Sequence, residues 1–248
     1  MTYILYMWAM VEIVLILYAL YNIKKIITIY REDKQVYYYS SDKTEGLLTQ
    51  VYGEHKILSF LVSEIMIFYY ALFGWFVKKK SFDNVSEYTY IKETMYGVFL
   101  WVIFISTVIE VPIVHYFLSL WSVTVAWVVT GVTLYGMIWL LGDYKSIKHM
   151  PIRINETHLF IRIGVRSKVD IALSNIDTIS SNVKEEEKES YNHLVLMTTV
   201  DANIYITLKE KIHIKGIFGS KKGVDKVALY VDEPRLFMDS ILNNESKD

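Results

Sequence analysis

The chain has no cysteine, and only three prolines and 11 glycines in its 248 residues. The missing thiols exclude disulfides, thiolate metal sites and cysteine nucleophiles. So few prolines and glycines leave long stretches in which nothing interrupts a helix. An excess of one charge is also lacking: 26 basic residues stand against 27 acidic ones, so no overall field recruits nucleic acid. The segment Gly216-Ile217-Phe218-Gly219-Ser220-Lys221-Lys222-Gly223 comes nearest to a phosphate loop. It lacks the required order of glycines, lysine and hydroxyl, and no helix is predicted after it, so nucleotide binding is rejected.

What the sequence does have is apolar continuity, with 53% hydrophobic and 15% aromatic residues. Four runs, Tyr3–Ile23, Ile57–Val77, Met95–Leu118 and Ser122–Leu141, are each long enough to cross a bilayer as a helix. Lys24-Lys25 stop the first, Lys78-Lys79-Lys80 the second, and Gly142-Asp143-Tyr144-Lys145 the fourth. No basic stretch precedes the first run and no small-residue cleavage pattern follows it, so it reads as a retained anchor. The third and fourth runs are joined only around Ser119-Leu120-Trp121, which predicts an antiparallel hairpin. Gly131 and Gly136 read as close-approach positions, and Trp101, Trp121, Trp127, Trp139 and Tyr135 as packing or interfacial aromatics. The segments Tyr37-Tyr38-Tyr39 and Asp42–Gly46 read as an interfacial or solvated loop.

Four crossings place both ends of the chain on one side. Lys78, Lys79, Lys80, Lys92, Lys145, Lys148 and Arg153 flank the spans there, against Lys24, Lys25, Arg31, Lys34, Lys43 and Lys56 opposite. The positive-inside rule thus leans by one residue toward a cytoplasmic C-terminal region of a multi-pass protein.

Three of the runs carry a glutamate, Glu12, Glu64 and Glu110, and His115 follows on the third. Ionisable groups are costly within a bilayer, so they are expected to face one another or a cavity. Counted at ~1.5 Å per residue, Glu64 and Glu110 lie at similar depth. That spacing makes Glu64, Glu110 and His115 the candidate catalytic residues and the candidate ligands of a divalent metal ion, with Glu12 and His55 around them. His115 needs a bend at Pro112 to join. The competing expectation is a protonated glutamate hydrogen-bonded to a neighbouring helix, with Tyr18, Ser63, Tyr69, Tyr70, Ser106 or Thr107 as partner.

After Pro151 the pattern changes to short β-branched runs: Ile152–Asn155, Leu159–Ile163, Val169–Leu173, Ile176–Ser180, His193–Thr198, Asn203–Thr207, Ile212–Ile214 and Val227–Val231. Pro234 then opens an amphipathic helix with Leu236, Phe237, Ile241 and Leu242 on its apolar face. The expected fold is a four-helix transmembrane bundle over 1–146, followed by a small curled sheet or barrel over 151–248, closed by a C-terminal capping helix.

That strand-rich tail and its helix resemble the pleckstrin-homology-like domains that bacteria attach to membrane spans. Trp139-Leu140-Leu141-Gly142-Asp143-Tyr144-Lys145-Ser146-Ile147-Lys148, leading into Pro151-Ile152-Arg153-Ile154, resembles the junction of uncharacterised multi-span membrane proteins of Gram-positive bacteria. The resemblance implies a bacterial cell-membrane protein whose pleckstrin-homology-like module binds a protein or lipid partner, with no nucleic acid involved. Lys221 and Lys222 are the candidate contacts to lipid headgroups. An intramembrane hydrolase or transferase acting on a lipidic substrate through the Glu/His site is the alternative.

Overall fold

The computed structural model describes residues 24–25, 28–32, 37–53, 56–77, 82–92, 94–195, 201–217 and 219–245. The first apolar run with Glu12, and also His55, lie outside the described residues. The chain divides into two compact units, Met1–Val62 and Ser63–Asp248.

In the first unit, helix α1 spans Ser40–Tyr52 and ends at Gly53, whose φ of 80° suits a residue without Cβ. The segment Asp42–Gly46 is therefore helical, not a loop. Asp42 sits in the first turn, where a carboxylate complements the helix dipole, and Leu47 is buried. The Lys43 ammonium lies over the Tyr30 ring at 3.8 Å.

Helix α2 covers Lys56–Phe73, α3 Tyr96–Trp121 and α4 Val123–His149. At 26 and 27 residues, α3 and α4 are long and apolar enough to cross a bilayer. Only 6% of each apolar window is buried, so their apolar surface faces outward and not into a protein core. Ser122 alone separates them and caps α4 by accepting the Val125 N–H. Pro112 lies inside a continuous α3. No described residue comes within 4 Å of a Cβ built at Gly131 or Gly136, so these glycines mark no close approach there. The close approach is at Gly142, where a Cβ would fall 2.2 Å from the Ile67 carbonyl oxygen of α2.

The remainder is an open, mixed sheet with flanking helices. Its strands are β1 (Ser86–Tyr88), β2 (Ile152–Ile154), β3 (His158–Ile163), β4 (Ser167–Ala172), β5 (Ile176–Ser180), β6 (Asn192–Leu194), β7 (Ile204–Gly216) and β8 (Gly219–Leu229). They run in the order β1-β2-β3-β4-β7-β8-β6, with β5 also paired to β7 and β6 parallel to β8. Alternation decides the buried face: Leu159, Ile161 and Ile163 point to the core. Two strands expected separately, around Asn203–Thr207 and Ile212–Ile214, are one long β7 with a register shift against β8 between Thr207 and Ile212. Gly216–Gly219 is the tight β7–β8 turn.

The sheet also recruits β1 from the segment between α2 and α3, in register Glu87↔Arg153 with β2. The Asp232 carboxylate accepts the backbone N–H groups of Ile91 and Lys92, tying that segment to the end of the sheet. The terminal helix α5 (Pro234–Glu245) inserts Phe237 and Ile241, both fully buried, and the Tyr88 ring meets Phe237 edge-on at 5.2 Å.

Candidate functional site

Glu64 faces α4, where the Tyr135 hydroxyl donates to one of its oxygens at 2.6 Å and the Trp139 indole N–H to the other at 3.3 Å. Its partners are thus the aromatics that the sequence presents as interfacial, not the hydroxyls nearer by in the chain. His115 also turns toward α4: Nδ1 lies 2.8 Å from the Thr130 hydroxyl, and the ring stands edge-on to Trp127 at 4.9 Å. Glu110 is exposed on α3 and makes no hydrogen bond to a described residue. The His115–Thr130 contact sets the antiparallel register, which puts Glu110 opposite Tyr135. Glu64 is thus held by α4, and no hydrogen bond joins it to Glu110. Among the described residues, no group of three or more His, Cys, Asp or Glu is placed to hold a metal ion.

The densest polar cluster lies just beyond the apolar part of α4. Asp143 is fully buried and accepts from the Tyr96 hydroxyl and from two nitrogens of Arg166, Nε at 2.8 Å and a terminal nitrogen. That terminal nitrogen also lies 2.7 Å from the Tyr96 hydroxyl oxygen. A bidentate Arg–carboxylate pair of this kind fixes orientation as well as charge. Burial works against the charged guanidinium, but the hydrogen bond and charge of Asp143 outweigh it and hold the Arg166 pKa above its ordinary value. Arg166 sits in the β3–β4 turn, so the cluster clamps the sheet to the ends of α3 and α4. The same turn approaches α4 closely: Gly164 has φ +51°, and a Cβ there would lie 2.6 Å from the Ser146 hydroxyl. Sequence reasoning reads Asp143 only as the stop of a span and assigns Arg166 no role. The signal available was an acid directly after an apolar run and an arginine in a glycine turn.

Further along the sheet, β7 bulges between its pairings with β5 and β4. Asn175 acts there as a substitute strand neighbour: its amide donates to the Glu210 carbonyl at 3.1 Å and its oxygen accepts the Glu210 N–H at 2.8 Å. The gap forms an open groove of about 490 Å³ lined by His158, Asp170, Ala172, Ser174, Asn175, Lys209, Glu210 and Ile212. Its mixed charge offers donors and acceptors to a polar ligand.

Comparison with known protein families, with curated proteins and with solved structures gives no match to this chain.

Proposed function

We propose that the chain is a membrane-embedded binding or scaffold protein. In this reading the apolar helices form a multi-pass anchor, a four-helix bundle once the first run is counted, and the sheet is a pleckstrin-homology-like module on the cytoplasmic side of a bacterial cell membrane. The observation that carries the reading is the buried Asp143–Arg166–Tyr96 clamp. It supports a fixed presentation of the sheet domain by the two long helices. The groove at the β7 bulge is the surface presented to a protein partner.

The intramembrane hydrolase or transferase reading needs Glu64, Glu110 and His115 to act together, with or without a divalent ion. Both Glu64 oxygens are engaged by α4 donors and His115 is turned to Thr130, an arrangement that favours a structural role. A photo-crosslinking residue at the exposed Ser174 tests the binding reading in cells, with one at Lys184 as control. A discrete adduct from Ser174 that persists in Glu64→Gln and Glu110→Gln supports it. Equal labelling from both positions, or an adduct lost with either glutamine, argues against it. For topology, cysteines at Ser41 and Ser190 are treated in intact cells with an impermeant thiol reagent. Labelling at Ser190 with protection at Ser41 would reverse the orientation.

A further inference from the structure

We infer that the end of the sheet made by the β3–β4 and β7–β8 turns rests on anionic phospholipid headgroups of the leaflet in which α4 ends. The inference deepens the binding-protein reading and rests on its membrane-crossing α3 and α4.

Three observations place that end at the membrane surface. Asp143 lies 21 residues beyond Ser122, about 30 Å along α4 at ~1.5 Å per residue, which matches the ~30 Å hydrocarbon thickness. Asp143 holds Arg166 of the β3–β4 turn. Arg166 in turn accepts, through its carbonyl oxygen, the Ile217 N–H of the β7–β8 turn at 3.2 Å. Both turns are therefore tied to the point where the apolar part of α4 gives out.

Charge then identifies the occupant. The turn segments 164–168 and 213–223 contain Arg166, Lys168, Lys215, Lys221 and Lys222 and no acid, in a chain whose charges as a whole nearly cancel. Arg166 is spent on Asp143. Lys168 pairs in register with Lys215, so both lie on the sheet face opposite the core. Lys221 and Lys222 occupy the register positions across from Ile214 and His213. Glu156, Asp177 and Glu210 fall toward the other end of the sheet, and the nearer acids Asp170 and Asp225 lie against Arg162 and Lys211. Lysines at an anionic leaflet each contribute on the order of a fivefold factor in association, and more when a covalent anchor already holds them there.

The test uses the full chain in nanodiscs of phosphatidylcholine alone or with about one third phosphatidylglycerol, read by hydrogen exchange. Exchange over 213–223 is expected to slow about fivefold or more in the anionic discs and to recover in about 0.5 M salt. Amides of the groove, at 174–175 and 209–210, should not change. The combined Lys168→Gln, Lys215→Gln, Lys221→Gln and Lys222→Gln variant should exchange alike in both discs. If that variant unfolds, salt reversal in the native chain decides the matter. Equal exchange of the native chain in the two discs, or slowing that survives salt, overturns the inference. So does slowing by inorganic phosphate in neutral discs, which marks a free-anion site. Alkaline carbonate extraction of the chain from vesicles would sink the membrane-crossing reading and this inference together. Retention with no lipid dependence would sink this inference alone.

Discussion

Replacing Asp143 with alanine removes the acceptor that three donors share. The carboxylate is fully buried, whereas 28% of the Arg166 side chain remains exposed. Breaking one side of a buried ion pair costs about 3–5 kcal/mol, because the other charge is left without compensation. Water reaching the exposed part of Arg166 recovers some of this, so the lower end, about 3 kcal/mol, applies. Every 1.4 kcal/mol is a factor of ten, so amides of the β3–β4 hairpin should lose roughly 100-fold or more in exchange protection. The loss should be local, greatest from Ile163 to Ser167 and at Ile217, which donates to the Arg166 carbonyl. Hydrogen exchange on the full chain in detergent or nanodiscs reads this directly. The double change Asp143→Leu with Arg166→Met should recover most of the loss, since no buried charge remains unpaired. Protection in Asp143→Ala within about threefold of the native chain would refute the clamp, as would a double variant no better than the single. The pH dependence follows from Arg166, whose pKa is raised on folding. A raised pKa contributes stability below the unfolded value and loses it only as pH climbs through the folded one. The contribution should therefore persist unchanged from neutrality to about pH 10.

Other substitutions probe the remaining joints. Gly142→Ala forces a methyl into the Ile67 carbonyl at 2.2 Å, so α2 and α4 must part. The expected cost is about 1–3 kcal/mol in thermal unfolding, and a neutral effect would contradict the crossing. Phe237→Ala should destabilise the sheet unit by about 3–5 kcal/mol, seen as an earlier loss of the strand signal by circular dichroism while the helical signal stays. Asn175→Ala strands both backbone groups of Glu210 at the bulge and should cost about 1 kcal/mol, measured as faster exchange at 209–211. Glu64→Gln keeps an acceptor for Tyr135 and should change stability by less than about 1 kcal/mol, whereas a loss of several would show that the ionised form is needed.

Much of the fold is legible where one local pattern dominates. Continuous apolar residues define α3 and α4, and alternation at Leu159, Ile161 and Ile163 defines a half-buried strand regardless of its neighbours. The failures are non-local. Ser86–Tyr88 is too short to read as a strand, and becomes one only because Arg153 of β2 lies opposite and binds Glu87. Between Thr207 and Ile212 the run Leu208–Lys211 breaks the alternation, which suggests two strands. In the fold it is a bulge whose backbone Asn175 satisfies from another segment. The same limit governs the site. Sequence depth puts Glu64 and Glu110 on one level, but depth says nothing of their partners, and Glu64 is taken up by Tyr135 and Trp139 of α4. Which way a glutamate turns depends on helix rotation, and the donors it meets are 71 and 75 residues away. Asp143 is easily passed over because an acid after an apolar run is an ordinary span terminus. Its role appears only when the β3–β4 turn folds back onto α4.

The clamp and the basic end together assign different tasks to the two ends of one strand. From Gly216 back to Glu210, β7 runs six residues, about 20 Å at ~3.3 Å per residue. Exposed charges are screened over ~8–10 Å at physiological salt, so Glu210, on the far side of the groove, lies about two screening lengths from the turn end. A partner at that side of the groove would then be selected by His158, Lys209 and Glu210 themselves, and not by the charge of the leaflet. This separation requires a domain that does not tumble about its tether. Met150-Pro151 alone would allow rotation, whereas Asp143–Arg166 and the β1–β2 pairing add two further attachments to the same helices. Loosening the clamp should therefore change the salt dependence of partner binding before it changes affinity at high salt. In Asp143→Ala the groove is free to swing within reach of the leaflet, and crosslinking from Ser174 should become sensitive to anionic lipid content. Crosslinking that responds to lipid equally in the native chain would show that the clamp does not set the distance.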